Sequence, residues 1–436
     1  HSTRVQRIIV KSKGTVMTDL SRMARRITWV LFANQSLASA GFIAAATINS
    51  IIGAKLGGSA SYAGVPSAVY QVGAAFAASA WGYIMDRIGR RNGMVAGLMI
   101  GVIGNALVLV AIAGSSFFLF LTGMVLMGIT NAAVVLGRFA AAEVNPPEKR
   151  GAAISNVVLG GTFGAIVGPL LVGPVGNLAR TLGMDELAGA YIATLGLFAV
   201  SCVVVFLGLR PDPRDLGKQV AAAHPDPAFA ATGEARPIFA ILRQPAALVA
   251  VSAMALGQVV MVAIMVITSL HMSDHQHNLS DISAVIASHT FGMFAFSVIS
   301  GRLADRWGRG PVILTGAFTL LLSCIAAPLS PNVFPLAVAL FLLGLGWNFC
   351  FVGGSALLAD QLSPLERSRT QGANDLLVGL ASAIGSLGSG IVFAVSNYTM
   401  IAIVSGVLAL IPFLMTLLWI RRKPALVAAQ VKLPGD

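Results

Sequence analysis

The chain has 436 residues, of which 56% are hydrophobic and only 11% charged, and its mean hydropathy is +0.83. A soluble domain carries roughly 25% charged residues, so this composition excludes an ordinary soluble enzyme and implies a chain that crosses a lipid bilayer many times. The net charge of +12 does not indicate nucleic acid as a partner, because the basic residues punctuate apolar runs instead of covering one soluble surface.

Residues 1–26 read as a basic cytoplasmic tail carrying Arg4, Arg7, Lys11, Lys13, Arg22, Arg25 and Arg26. The chain starts with His1, so its beginning reads as trimmed or engineered, and no cleavable signal peptide is evident. Twelve apolar runs follow, at about 27–49, 61–85, 92–113, 116–141, 150–174, 188–209, 244–270, 281–303, 310–328, 332–358, 370–394 and 397–420. Each is long enough to cross the membrane as a helix. Residues 210–243 are rich in Pro, Ala, Asp and Arg and form the one connection long enough to separate two bundles. The expected organisation is therefore a six-helix bundle over 27–209, a cytoplasmic linker over 210–243, a second six-helix bundle over 244–420 and a cytoplasmic tail over 421–436.

Of the 29 Lys and Arg residues, all but Lys55, Arg180 and Arg138 fall in the tails, around the linker, or after runs two, four, eight and ten. These segments share one side of the membrane, which places both termini and the linker in the cytoplasm by the positive-inside rule. Cys202, Cys324 and Cys350 lie inside apolar runs, so no disulfide framework is implied. Cys350 reads as a small core residue by default, with a thiolate on the transport path as the alternative.

Run two ends in G-Y-I-M-D-R-I-G-R-R, with Gly82, Asp86, Arg87, Gly89 and Arg90; run eight ends in G-R-L-A-D-R-W-G-R-G, with Gly301, Asp305 and Arg306. The two copies are almost half a chain apart, the mark of an internal repeat. Glycines permit close helix approach and a tight turn. The acid can pair with a following Arg or lie against a helix N-terminus of the facing bundle, which would hold one end of the molecule shut. With these motifs, twelve runs and a midpoint loop, the chain resembles the major facilitator superfamily along residues 27–420. The resemblance implies an all-α polytopic membrane protein of two six-helix bundles, usually monomeric, that rock around a midplane site. It implies a transporter without a cofactor, not an enzyme.

Run four has Met124 where proton-coupled exporters of this superfamily usually carry an Arg. Arg138 comes later, and pairing with Glu143 or snorkelling is its expected role, with a functional role as the alternative. Run five contains G-A-I-V-G-P-L-L-V-G over 164–173, which resembles the antiporter motif of superfamily exporters. No Asp or Glu lies well inside an apolar run; Asp360 and Asp375 fall near cytoplasmic ends. His289 is the one histidine well inside a span and so the best-placed titratable group.

Around His289 the sequence concentrates soft donors. Met261 and Met265 are four apart on run seven, and His289 and Met293 are four apart on run eight. Residues at i and i+4 share a helix face. Met265 and His289 lie roughly 8–12 Å below the outer end, and Met261 and Met293 roughly 13–18 Å below it. Thioether and imidazole suit Cu(I) better than Zn²⁺ or Fe²⁺. His271, Met272, His275 and His277 lie between the pairs and read as an outer capture site. Taken singly, such methionines are ordinary packing residues and the loop histidines a solvated turn.

The ordered pair M-x-x-x-M then H-x-x-x-M on consecutive helices resembles the CcoA-type copper importers of bacteria. That resemblance implies Met261, Met265, His289 and Met293 as copper ligands, copper as the transported substrate, a bacterial cytoplasmic membrane, and supply of copper for cbb3-type cytochrome c oxidase assembly. A proton-driven drug exporter, a riboflavin uptake carrier of the same frame and a copper-sensing membrane receptor are the alternatives.

Overall fold

The computed structural model describes residues 2–146, 149–223 and 236–431. Among these there is no strand. The helices are α1 (Ser2–Gly57), α2 (Val65–Ile88), α3 (Arg90–Ala113), α4 (Phe117–Val135), α5 (Gly137–Glu143), α6 (Arg150–Thr181), α7 (Ala188–Gly208), α8 (Pro213–Ala223), α9 (Ile238–Leu242), α10 (Pro245–Asp274), α11 (Leu279–Phe294), α12 (Ser297–Trp307), α13 (Arg309–Ala326), α14 (Val333–Ala359), α15 (Pro364–Val395) and α16 (Tyr398–Val431).

The twelve apolar runs map onto this order, with α4 and α5 forming run four, and α11 and α12 forming run eight. Eleven stretches of the described residues are long and apolar enough to cross a membrane. The second run, α2, has 24 residues but is diluted by Ser67, Tyr70, Gln71 and Trp81, and it is not among the eleven. At both ends the helices outrun the apolar signal. α1 begins at Ser2, so the backbone of the basic tail continues the first span, and α16 runs on to Val431, beyond the expected boundary at 420. The linker contains α8 and α9; its residues 224–235 lie outside the described ones.

Within each half the helices approach through small residues. A Cβ on Gly164 or Gly168 of α6 would overlap the backbone of α1 at Ser36 and Ala40, so the two helices touch main chain to main chain, as small-residue membrane interfaces do. Two spans are broken. α4 gives way to α5 at Leu136, and α11 gives way to α12 at Ala295–Phe296. The second break is held by Asn348 of α14, whose Nδ2 donates to Met293 O at 2.6 Å and Ser297 Oγ at 2.9 Å, while its Oδ1 accepts from Ser300 Oγ. A broken helix survives inside a membrane protein only where such partners re-satisfy its backbone.

The internal repeat is visible in three dimensions at the α2–α3 and α12–α13 turns. Gly89 has φ 93° and ψ 159°; Gly308 has φ 90° and ψ 160°. Both lie in a region open essentially to glycine alone. After each turn an Arg bridges two acids. Arg90 pairs with Asp86 at 3.0 Å and Glu143 at 2.6 Å, and Arg309 pairs with Asp305 at 2.9 Å and Asp360 at 3.0 Å. The halves differ in one respect. Asp212 of the linker accepts from the N–H groups of Arg90 (3.1 Å) and Arg91 (3.0 Å), capping α3, while the Arg214 guanidinium donates to Asp86 O (2.9 Å) and Arg87 O (3.1 Å), capping α2. Opposite charges thus meet opposite helix ends. At the far end of the linker, Arg236 grips the buried Glu366, which also completes the capping box of α15.

Between the halves, α6 packs on α11, α2 on α15 and α1 on α10. Twelve crossings put both termini on one side, called the terminal side here. The located contacts between halves lie toward the opposite side. Ser386 Oγ of α15 donates to Gly64 O at the start of α2 (2.7 Å), and Gly173 of α6 sits against Ser280 of α11. A Cβ at Gly64 would overlap Ser386 O.

Gly89→Ala and Gly308→Ala should each cost about 1–3 kcal/mol for the backbone alone. Gly89→Ala should cost more, because its Cβ overlaps the Asp212 carboxylate. That excess should vanish in an Asp212→Ala background, which thermal unfolding of the four proteins would reveal. Glu366 makes a second prediction. Its hydrogen bonds from Arg236 and Ser363 hold its pKa well below the carboxylate range. A depressed carboxylate contributes stability that is complete above its unfolded pKa, about 4.3, and lost as pH falls through its lower folded value. The melting-temperature gap between wild type and Glu366→Ala should therefore stay constant from pH 7 to about 5 and narrow only below about 4.

Candidate functional site

A cavity of about 260 Å³ lies between the halves. Gln35 and Ser39 of α1 line it one turn apart, with Gln35 Nε2 donating to Ser39 Oγ at 3.2 Å. Across from them α6 presents Gly161, where a Cβ would press to 3.3 Å on both polar atoms. Tyr70 of α2, Asn131 of α4 and Arg138 of α5 complete this side, and Phe294 of α11 reaches in from the other half. Phe42 meets the Tyr70 ring edge-on at 5.9 Å. The result is an aromatic wall with a few convergent polar groups and one cation, the usual make-up of a small-molecule site. A larger groove of about 710 Å³ on the terminal side is lined, among the described residues, by α1, the segment after α5, α6 and Val220 of α8, all outside the second bundle. The smaller cavity is lined from both bundles, through Phe294 on the second, and a site opened alternately to either side must belong to both.

A polar chain crosses beside the cavity. Gln71 Nε2 of α2 donates to Ser382 Oγ of α15 at 2.8 Å. Gln258 Nε2 of α10 reaches the same oxygen at 3.4 Å, and Gln258 Oε1 accepts from Trp347 Nε1 of α14 at 2.7 Å. Trp347 stacks on Phe351 with centroids 4.9 Å apart and meets Phe294 edge-on at 6.3 Å. The wall of the cavity is therefore wired to a hydrogen bond that joins the two halves.

The methionine and histidine candidates sit on helices that flank α14. α10 carries Met261 and Met265 on the same face as Gln258; α11 carries His289 and Met293. Met261 and His289 are buried, Met265 and Met293 half-buried. His289 Nδ1 is 3.0 Å from Leu340 O of α14. A carbonyl only accepts, so Nδ1 carries the proton, and Nε2 is buried with no hydrogen-bond partner among the described residues. None of the four lines the cavity, although Phe294 beside Met293 does. Among the described residues no group of three or more His, Cys, Asp or Glu side chains is placed to hold a metal ion.

The outer candidates separate into two kinds. His271 stacks flat on Tyr398 (4.3 Å, 6°) with His275 against its edge (4.3 Å), and His275 Nδ1 donates to His271 O at 2.8 Å. His277 turns away, with Nε2 against Pro331 O at 3.0 Å and Nδ1 3.8 Å from Asp281. Met272 is fully buried in the core. The structure brings His271 and His275 together and leaves the other two in structural roles. Cys350 is buried in the core beside Ile313 O.

The repeat motifs divide similarly. Gly89 and Gly308 make the turns and Arg90 takes the ion pairs, while Arg87 lies over the Tyr83 ring at 4.3 Å and Arg306 is exposed. Among the described residues Gly82 and Gly301 have nothing within 4 Å of an added Cβ, so the close helix approach expected of them is not seen among those residues in this conformation. Asp86 pairs within its own half. Arg138 does not pair with Glu143, because Arg90 holds both oxygens of that carboxylate, at 2.6 and 3.1 Å. The members of the cavity are the signal the sequence offers least plainly: Gln35, Tyr70, Asn131 and Phe294 are ordinary residues until the helices are rotated into place.

Comparison with known proteins agrees with this architecture. A family model for the Major Facilitator Superfamily matches residues 31–277 and 250–435. The chain is 34% identical over 393 residues to an uncharacterized MFS-type transporter, YdeG, of Bacillus subtilis, covering 89% of this chain and 90% of that one. It is 30% identical over 365 residues to the riboflavin transporter RfnT of Brucella anthropi, covering 83% and 87%. Among solved structures it resembles a bacterial homolog of the human lysosomal transporter Spinster in an inward-facing and unoccupied conformation, with a TM-score of 0.67 at 16% identity, covering 90% of this chain and 96% of that one. Two repeated six-helix bundles closing on a shared cavity, with glycine turns braced by Arg–carboxylate pairs, match that wider group in sequence and in fold: the chain belongs to the major facilitator superfamily and is a membrane transporter, not an enzyme.

Proposed function

We propose that this protein is a secondary transporter that carries a small organic solute across the bacterial cytoplasmic membrane, with both termini in the cytoplasm. The carrying observation is the cavity of about 260 Å³ built jointly by Gln35, Ser39, Tyr70, Asn131 and Arg138 of one half and Phe294 of the other. Its aromatic wall suits a planar ring, and its amides and hydroxyls suit the edge of a heterocycle. The relative of similar length that carries riboflavin supports a flavin as the first solute to try. The packing of α2 on α15 and α6 on α11 supports a carrier shut on the side away from its termini. Alternating access would break these contacts and close the terminal side.

A second reading is copper transport, with Cu(I) as substrate on Met261, Met265, His289 and Met293 and delivery toward cbb3-type oxidase assembly. One observation favours it. His289 holds its ring by Nδ1–H to Leu340 O and keeps a buried Nε2 lone pair free, the arrangement in which an imidazole is oriented to bind a soft metal. His271 and His275 would then receive the ion at the outer surface.

Proteoliposomes loaded with this protein separate the two. On the organic reading, radiolabelled riboflavin or a member of a drug panel enters saturably, Phe294→Ala lowers that uptake about tenfold, and His289→Ala leaves it intact. Saturable uptake of reduced copper that disappears in His289→Ala or Met265→Ala, with no organic solute moving, would replace it with the second reading. A further expectation concerns the conformational cycle. Ser382→Ala removes the acceptor shared by Gln71 and Gln258. At about 0.5–1.5 kcal/mol per hydrogen bond, it should raise the population open on the far side by about two- to tenfold, seen as longer spin-label distances between the outer ends of α2 and α15.

A further inference from the structure

Arg138 stands in an unusual position for a cation. It follows the break at Leu136, where the backbone turns from α4 into α5, and its side chain lines the cavity between the halves. It is half-buried, with Nε fully buried and lacking a partner. Among the described residues Arg138 has no ion pair or hydrogen bond; its guanidinium lies over the Phe139 ring, 4.9 Å from the centroid. Glu143, one turn on, is consumed by Arg90. A guanidinium is always protonated, and burying it without a counter-charge is costly. A cation within a span that faces an internal cavity marks a functional site by default.

The neighbours of Arg138 tell what the missing partner resembles. Gln35, Ser39 and Asn131 share the cavity with it and add neutral donors. Among the described residues no carboxylate lines the space. The remaining lining is aromatic and aliphatic, with Tyr70 and Phe294 on opposite halves. The volume is just under the usual range of about 300–1,000 Å³ for small-molecule sites, so the occupant is compact.

We propose that Arg138 anchors the anionic group of the transported solute, a carboxylate or a phosphate ester on a small aromatic body, whose ring lies between Tyr70 and Phe294. The guanidinium fork matches either oxyanion with two parallel hydrogen bonds, and Gln35 and Asn131 donate to the remaining oxygens. This assignment rests on the organic-solute reading above and narrows it to anions.

Matched pairs of probes test it on the full-length protein in detergent: indole-3-acetate beside indole-3-acetamide, 4-aminobenzoate beside 4-aminobenzamide, and riboflavin 5′-phosphate beside riboflavin. Binding is read by equilibrium dialysis and by the thermal shift. In wild type at least one anion should bind about ten- to a hundredfold more tightly than its neutral partner, the worth of a charge-assisted pair. Arg138→Gln should erase that preference while keeping the neutral partner's affinity and the ligand-free melting temperature. Arg138→Lys should keep a reduced preference, and it serves if the Gln variant does not fold. Neutral and anionic partners binding equally to wild type would overturn the anion assignment and leave the organic-solute reading standing. An anion preference that survives Arg138→Gln would overturn it too. Binding of none of the six would sink both.

Discussion

A helix in hydrocarbon must satisfy its own backbone, and every departure from that rule in this protein has to be supported by a named side chain. The α11–α12 break leans on Asn348, which serves Met293 O and Ser297 at once. The sharp turn at Gly89 leans on Asp212 and Arg214, which neutralise the two helix ends that meet there. The α4–α5 break places Arg138 where the next turn carries it into the cavity. The first two irregularities are braced by these side chains; at the third, Arg138 Nε has no hydrogen-bond partner among the described residues, which is the observation behind the anion site proposed above.

The two halves repeat the same device but do not carry the same load. Arg90 and Arg309 hold equivalent carboxylate pairs beside equivalent glycine turns. Among the described residues, the first turn alone is also clasped by the linker, through Asp212, and the other end of the described linker is fastened to α15 by Arg236 on Glu366. The described ends of the connection are therefore tied to the α2–α3 turn of one half and the start of α15 of the other.

Much of the architecture was legible in the sequence because it follows from composition and period. Apolar runs of about twenty residues, a one-sided distribution of Lys and Arg, and two glycine–acid–arginine motifs half a chain apart need no tertiary information. α2 was legible by its length and its motif despite its low hydropathy. The site was less so. Spacing put Met261 with Met265 and His289 with Met293 on common faces, but it could not say that α14 would lie between the two helices. It could not say that Met272 would point into the core or that Pro331 would occupy His277. The pairing of Arg138 with Glu143 fails for a similar reason: that acid is its nearest partner along the chain, while the fold delivers Arg90 to it; snorkelling and a functional role are the readings that stay open. Pore-facing residues are a property of helix rotation, and no single helix announces its rotation when both its faces are apolar.

The seam at Gly64 has a consequence for energy conservation. Main chain touches main chain there, with Ser386 Oγ donating to Gly64 O and no room for a Cβ. A single added methyl group would keep α2 from seating on α15. In a gradient-coupled carrier, failure to seal one side before opening the other would leave a pore that dissipates the gradient, and a bare α-carbon at this position keeps that seal within reach.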